Sequence, residues 1–193
     1  MSKNGPLALS FHALIVVFML APLLVVCLVA FTPENTLSLP WHGVSLRWFK
    51  AVFERADFIQ AFYNSLILAV VAATLATLIA VPAALAITRY RFPGRNFLNG
   101  LFLSPIIIPH LVLGVAMLRL FALMGVNGSF VWLMFAHVVV ITPYVLRLVI
   151  AAAIGVDRSA EQAAESLGAS RFTLFRQITL PMILPGVAGG WLL

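Results

Sequence analysis

Long apolar runs separated by short polar stretches set the rhythm of this chain, at about residues 9–31, 63–88, 97–120 and 130–154. A helix needs about 20 apolar residues to cross roughly 30 Å of hydrocarbon, so each run predicts one membrane span. A fifth apolar run opens at Met182 and reaches Leu193 within twelve residues, too few to cross. The pattern therefore predicts an all-α integral membrane protein: a polytopic helical bundle forming one transmembrane domain over residues 1–193, truncated in its fifth helix.

The stretches inside and between the runs refine this picture. Residues 32–62 carry Glu34, Arg47, Lys50, Glu54, Arg55 and Asp57 together with Pro33, Pro40, Trp41 and Trp48. They predict an ordered extramembrane segment with a short amphipathic helix near 45–53, whose tryptophans favour the membrane interface. The second run places Ala72, Ala76, Ala80 and Ala84 at four-residue steps. Small residues at that spacing let another helix approach closely, although alanine is also simply common in membrane helices. In the third run Ser104, Pro105, Pro109 and His110 lie together, so the hydrogen-bond ladder should break twice within about one turn. Broken helices inside membranes line cavities or form hinges. These four residues, with His137 of the fourth run, are the candidates for a solute path; for either histidine the competing reading is a bond to a neighbouring helix's carbonyl. Arg119 and Arg147 lie near span ends, where long basic side chains reach the headgroups.

Composition narrows the class. Of 193 residues 63% are hydrophobic and 9% charged, with a mean hydropathy of +1.08, which excludes a water-soluble domain. The first run extends from Leu7 to Phe31 without a small-x-small cleavage pattern, so we expect a retained anchor and not a cleaved signal peptide. Cys27 is the single cysteine and indicates no disulfide framework. The net charge of +6 does not point to nucleic acid, because the basic residues flank apolar runs. Lys3, Arg89, Arg91, Arg95, Arg158, Arg171 and Arg176 fall on one side, and Arg47, Lys50 and Arg55 on the other. That imbalance predicts a cytoplasmic N-terminus, 89–95 loop and 155–181 segment.

The 155–181 segment is a polar island between apolar runs. Ser159-Ala160-Glu161-Gln162 fits a capping box, predicting a helix from Ala160 to Leu167 that ends where Gly168 takes positive φ. Ser170 is placed to cap a second short helix over 171–177 with Phe172, Phe175 and Ile178 on one side, closed by Pro181. Two readings fit this helix–turn–helix: an interfacial hairpin that tethers two spans, or an element that seats in a groove of a soluble partner.

Gln162-Ala163-Ala164, three residues, Gly168, nine residues, then Ile178-x-Leu180-Pro181 resembles the EAA loop of binding-protein-dependent ABC transporter permeases. Ser45-Leu-Arg-Trp-Phe49, Asn64-Ser65, Arg89-Tyr-Arg-Phe92 and Pro109-x-x-x-x-Gly114 are similar to the permeases of spermidine/putrescine-type importers. Here Gln162 stands where the pattern has its leading glutamate, with Glu161 just before it, and Ser166 replaces a frequent acidic residue beside Glu165. The resemblance implies a type I importer permease fold in a bacterial inner membrane, a second permease subunit, cytoplasmic ABC ATPase subunits and an external solute-binding protein. It implies that the ATPase-coupling loop comprises Glu161, Gln162, Ala163, Ala164, Gly168, Phe172, Phe175, Arg176, Ile178, Leu180 and Pro181. It also implies that a small polar solute such as a polyamine is carried. The chain has no phosphate-cradling G-x-x-x-x-G-K-[ST], which agrees with ATP and Mg being bound by the partner ATPase and with no cofactor in this chain. A proton-coupled carrier is the rival reading, but no Asp or Glu falls within the four complete runs, where such carriers place relays. A membrane enzyme is the other, without an H-E-x-x-H or nucleophile elbow to support it.

Overall fold

The computed structural model describes residues 5–126 and 128–193. Lys3, counted above among the basic flanks, and Asn127 of the turn between the third and fourth runs lie outside the described residues. Among the described residues the regular structure is all helical, and the chain divides into two compact units, residues 1–64 and 65–193.

The first unit contains α1 (Pro6–Val29), α2 (Arg47–Glu54) and the start of α3 (Ala56–Arg89). Helix α1 is apolar all round and buries none of its residues, as a helix does whose neighbour is lipid or another subunit. The segment after it is ordered by its polar side chains, as its composition predicts. Thr32 is buried, Ser38 Oγ donates to Glu34 Oε2 at 2.6 Å, and the Arg47 guanidinium donates to the Pro33 carbonyl at 2.6 Å and to the Asn35 side chain. Helix α2 has Trp48, Phe49, Val52 and Phe53 on one side and Arg47, Lys50 and Glu54 on the other. The Phe49 ring lies 5.3 Å from Phe31, so its apolar side meets the end of the first apolar run.

Helix α3 has 34 residues; at about 1.5 Å each it is roughly 51 Å long, well beyond a ~30 Å hydrocarbon layer. The second unit holds the rest of it, with α4 (Arg95–Ile107), α5 (His110–Leu123), α6 (Phe130–Ile154), α7 (Ser159–Ser166), α8 (Arg171–Leu174) and α9 (Leu180–Leu192). Ala72, Ala76, Ala80 and Ala84 are all buried, in one cluster with Val138, Val145, Leu146 and Val149 of α6 and Ile183 of α9. The small-residue stripe is therefore a packing face. Helices α6 and α9 approach closest where α9 has Gly186 and Gly190, four residues apart, the spacing that brings membrane helices together.

The third apolar run is not one span broken twice. It forms α4 and α5, bent by 103° at a single break over Ile108 and Pro109. Pro105 stays inside α4. Its missing N–H leaves the Leu101 carbonyl without its usual donor, and the Ser104 hydroxyl donates to that carbonyl instead at 2.8 Å. At Pro109 no side chain makes such a repair, and the ring pushes Ile108 into extended backbone, φ −79° and ψ 129°.

Candidate functional site

The 155–181 island is built by local capping chemistry. Helix α7 starts at Ser159 without the Ser159 box; its N-cap residue, Arg158, makes no side-chain cap bond, and Asp157 just before it closes the end, Oδ1 accepting the Ser159 N–H at 3.0 Å and Oδ2 the Ser159 hydroxyl at 2.8 Å. The difference arises because Ser159 already has helical surroundings, which leaves the carboxylate two residues earlier to meet the free amide. These bonds, the backbone amide first, hold the Asp157 carboxyl below its ordinary value. Helix α7 ends as predicted. Gly168 has φ +84°, with the Gly168 amide donating to the Glu165 carbonyl and the Ala169 amide to the Ala164 carbonyl, both at 3.0 Å, the bonding of a Schellman turn. Ser170 Oγ accepts the Thr173 amide at 3.2 Å and caps α8.

The second short helix does not stop at Gln177. It passes from α8 through a π-helical turn, Phe175–Thr179, directly into α9. Pro181 has no N–H to donate, so a widened turn just before it loses little, and the proline sits within the first turn of α9. Nor do Phe172, Phe175 and Ile178 share one side. Phe175 packs on the buried cluster and Ile178 is half-buried, whereas Phe172 is 71% exposed. Leu167, 89% exposed on the other side of the glycine turn, is an outward residue that the spacing did not single out.

The remaining loop residues sort by face. Gln162, Ala163, Gly168, Arg176 and Pro181 are exposed, Ala164 and Leu180 half-buried. Glu161 turns the other way. It is buried, and its Oε1 accepts from Arg89 Nη2 at 2.5 Å and from Thr179 Oγ1 at 2.6 Å; Arg89 Nη1 also reaches Thr179 Oγ1 at 3.3 Å. A second strap runs from Arg158 Nη2 to the Thr88 carbonyl at 3.2 Å. The island thus has an outward face of Gln162, Leu167 and Phe172 and an inward face bonded to the end of α3.

The candidate path residues divide as well. His110 and His137 line one open groove of about 720 Å³ between α5 and α6, with Gly114, Phe121, Trp132 and Val140 among its other walls. Ser104, Pro105 and Pro109 lie outside that lining, in α4 and at the break. His137 Nδ1 donates to the Leu133 carbonyl of its own helix at 2.9 Å, not to a neighbouring helix. His110 Nε2 pairs with the Tyr144 hydroxyl of α6 at 3.1 Å. Among the described residues no three His, Cys, Asp or Glu side chains stand together as a metal site.

Comparison with known proteins places this architecture. Residues 76–193 match the family described as "Binding-protein-dependent transport system inner membrane component". The spermidine/putrescine transport system permease protein PotC of Escherichia coli (strain K12) is 34% identical over 183 residues, covering 95% of this chain and 69% of that protein. The putrescine transport system permease protein PotI of the same strain is 32% identical over 183 residues, covering 91% and 65%. In fold the chain resembles the bacterial alginate ABC transporter solved in complex with an alginate pentasaccharide-bound periplasmic protein, with a TM-score of 0.69 at 17% identity over 94% of this chain and 67% of that one. The chain belongs to the family of binding-protein-dependent transport system inner membrane components, the permease subunits of ABC importers.

Proposed function

We propose that this chain lines part of the path for a polyamine of the spermidine or putrescine class and takes its driving force from a separate cytoplasmic ATPase through the 155–181 loop. It works beside a second permease subunit and receives solute from an external binding protein. The N-terminus, the 89–95 loop and the island face the cytoplasm of a bacterial inner membrane, in keeping with the excess of arginine on those segments. The polyamine assignment is supported by the names of the similar permeases. ATP and Mg are bound by the ATPase, and the permease responds by changing the population of two conformations.

The observation that carries the coupling role is the two-faced island. Leu167 and Phe172 stand outward on either side of the Gly168 turn, two apolar knobs that water alone would not favour on an otherwise polar loop. A groove in a soluble partner covers them in the helix-in-groove manner.

Gly168 supplies the test. A Cβ there meets nothing within 4 Å, but the backbone is at φ +84°, so Gly168→Val is strained by roughly 1–2 kcal/mol without any clash. In proteoliposomes holding the complete transporter, ATP-dependent spermidine uptake and co-purification of the ATPase are both expected to fall in Gly168→Val and to persist in the wild-type chain. Unchanged uptake and assembly in the variant would remove the coupling role.

A further inference from the structure

The island is joined by the chain itself to α6, through residues 155–158, and to α9, through the π-helical turn. Those two helices interlock at Gly186 and Gly190, so a displacement of the loop moves them as one body. Helix α3 has no covalent link to the island. Its packing face is largely alanine, with Val81 and Ile87 toward its end, a shallow surface that Trp191 Nε1 of α9 joins by a bond to Thr74 Oγ1 at 3.1 Å. The end of α3 is tied to the island by the Arg158 strap to the Thr88 carbonyl and, side chain to side chain, by the cluster at its last residue, where Arg89, Glu161 and Thr179 meet across 72 and 90 residues of sequence.

Two features of the cluster point beyond stability. The Arg89 and Glu161 side chains are 16% and 11% exposed and Thr179 is fully buried; a buried ion pair contributes little stability relative to apolar side chains of the same size, while its geometry is strict. Thr179 also lies on the π-helical turn, a backbone form concentrated at functional sites. Its hydroxyl shares one carboxylate oxygen with Arg89, so loop, α3 and the root of α9 converge on a single atom.

We propose that the Arg89–Glu161–Thr179 cluster passes the loop's displacement to α3, making Arg89 and Glu161 positioning residues for coupling and not contacts for the ATPase. The inference rests on the function proposed above and assigns the inward face of the same loop.

The test uses the complete transporter, purified and reconstituted, and reads spermidine taken up per ATP hydrolysed in complexes that have co-purified. Glu161→Gln keeps the shape and loses the charge; Arg89→Met loses the charge and the donors; Arg89→Lys keeps a charge-assisted bond. Uptake per ATP is expected to fall at least about tenfold in Glu161→Gln and Arg89→Met and to stay within about threefold of wild type in Arg89→Lys, a span within ordinary coupling energies. A ratio equal to wild type in the first two variants would overturn the inference. So would a loss of co-purification in Glu161→Gln and Arg89→Lys alike, since the cluster would then be a brace for folding. If the wild-type chain itself supported no ATP-dependent uptake, the functional reading would fail instead.

Discussion

Gly190 of α9 lies so close to Val145 of α6 that a methyl group added to it would stand 2.9 Å from Val145 Cγ1 and 3.2 Å from Val145 Cα. One turn earlier, a methyl on Gly186 would meet the Ala152 Cβ at 2.5 Å and the Leu148 carbonyl at 2.9 Å. The two glycines are what lets α6 and α9 touch along their backbones. Gly189, between them in sequence, has nothing within 4 Å of a built Cβ. Gly186→Val and Gly190→Val are therefore expected to destabilise the protein by about 1–3 kcal/mol through overpacking. Gly189→Ala is expected to be neutral or slightly stabilising. Thermal unfolding of the three variants in the same detergent separates these outcomes; equal midpoints would refute the close packing.

Much of this architecture is legible in the sequence, and the reasons differ by element. The apolar runs give α1, α3 and α6 because length and hydropathy alone decide a span. Gly168 is legible because few other residues accept positive φ after a helix. The glycine pair at 186 and 190 is less so, since the final run is read for its length, and spacing does not say which helix it meets. Nor can spacing pair Arg89 with Glu161, because their contact is set by how three helices end together.

Proline shows the limit most clearly. Pro105 and Pro109 send the same sequence signal, yet the first is absorbed by the Ser104 hydroxyl and the second bends the chain by 103°. Pro109→Ala frees Ile108 from its extended backbone and is expected to let α4 and α5 straighten. Spin labels at the exposed positions Phe97 and Leu118 report this: a fully straight helix separates them by about 32 Å, and a bent one by less. The label distance is expected to lengthen in Pro109→Ala, with loss of uptake. An unchanged distance would place the cause of the bend elsewhere.

The Asp157 cap makes the island sensitive to acid. Its folded-state carboxyl is held low by the Ser159 amide and then by the Ser159 hydroxyl. A group whose folded value is depressed stabilises at pH above its unfolded value and loses that contribution as pH falls through the folded one. The cap is thus complete at neutral pH and lost below the ordinary carboxylate range. Amide exchange in the first turn of α7 is expected to accelerate on acidification of the wild-type chain. In Asp157→Asn, which keeps an acceptor without a titrating group, it is expected to follow only the intrinsic pH dependence. The same acid response in both proteins would rule out the cap.

Whether the outward face of the 155–181 loop meets the ATPase is read by site-directed cross-linking. With Cys27 replaced by serine, single cysteines are placed at Leu167, at Phe172, or at Leu37, which is 95% exposed in the segment after α1. Cross-links are expected from Leu167→Cys and Phe172→Cys to the co-purified ATPase subunit, and none from Leu37→Cys. Cross-links from Leu37→Cys with none from the loop positions would contradict that contact.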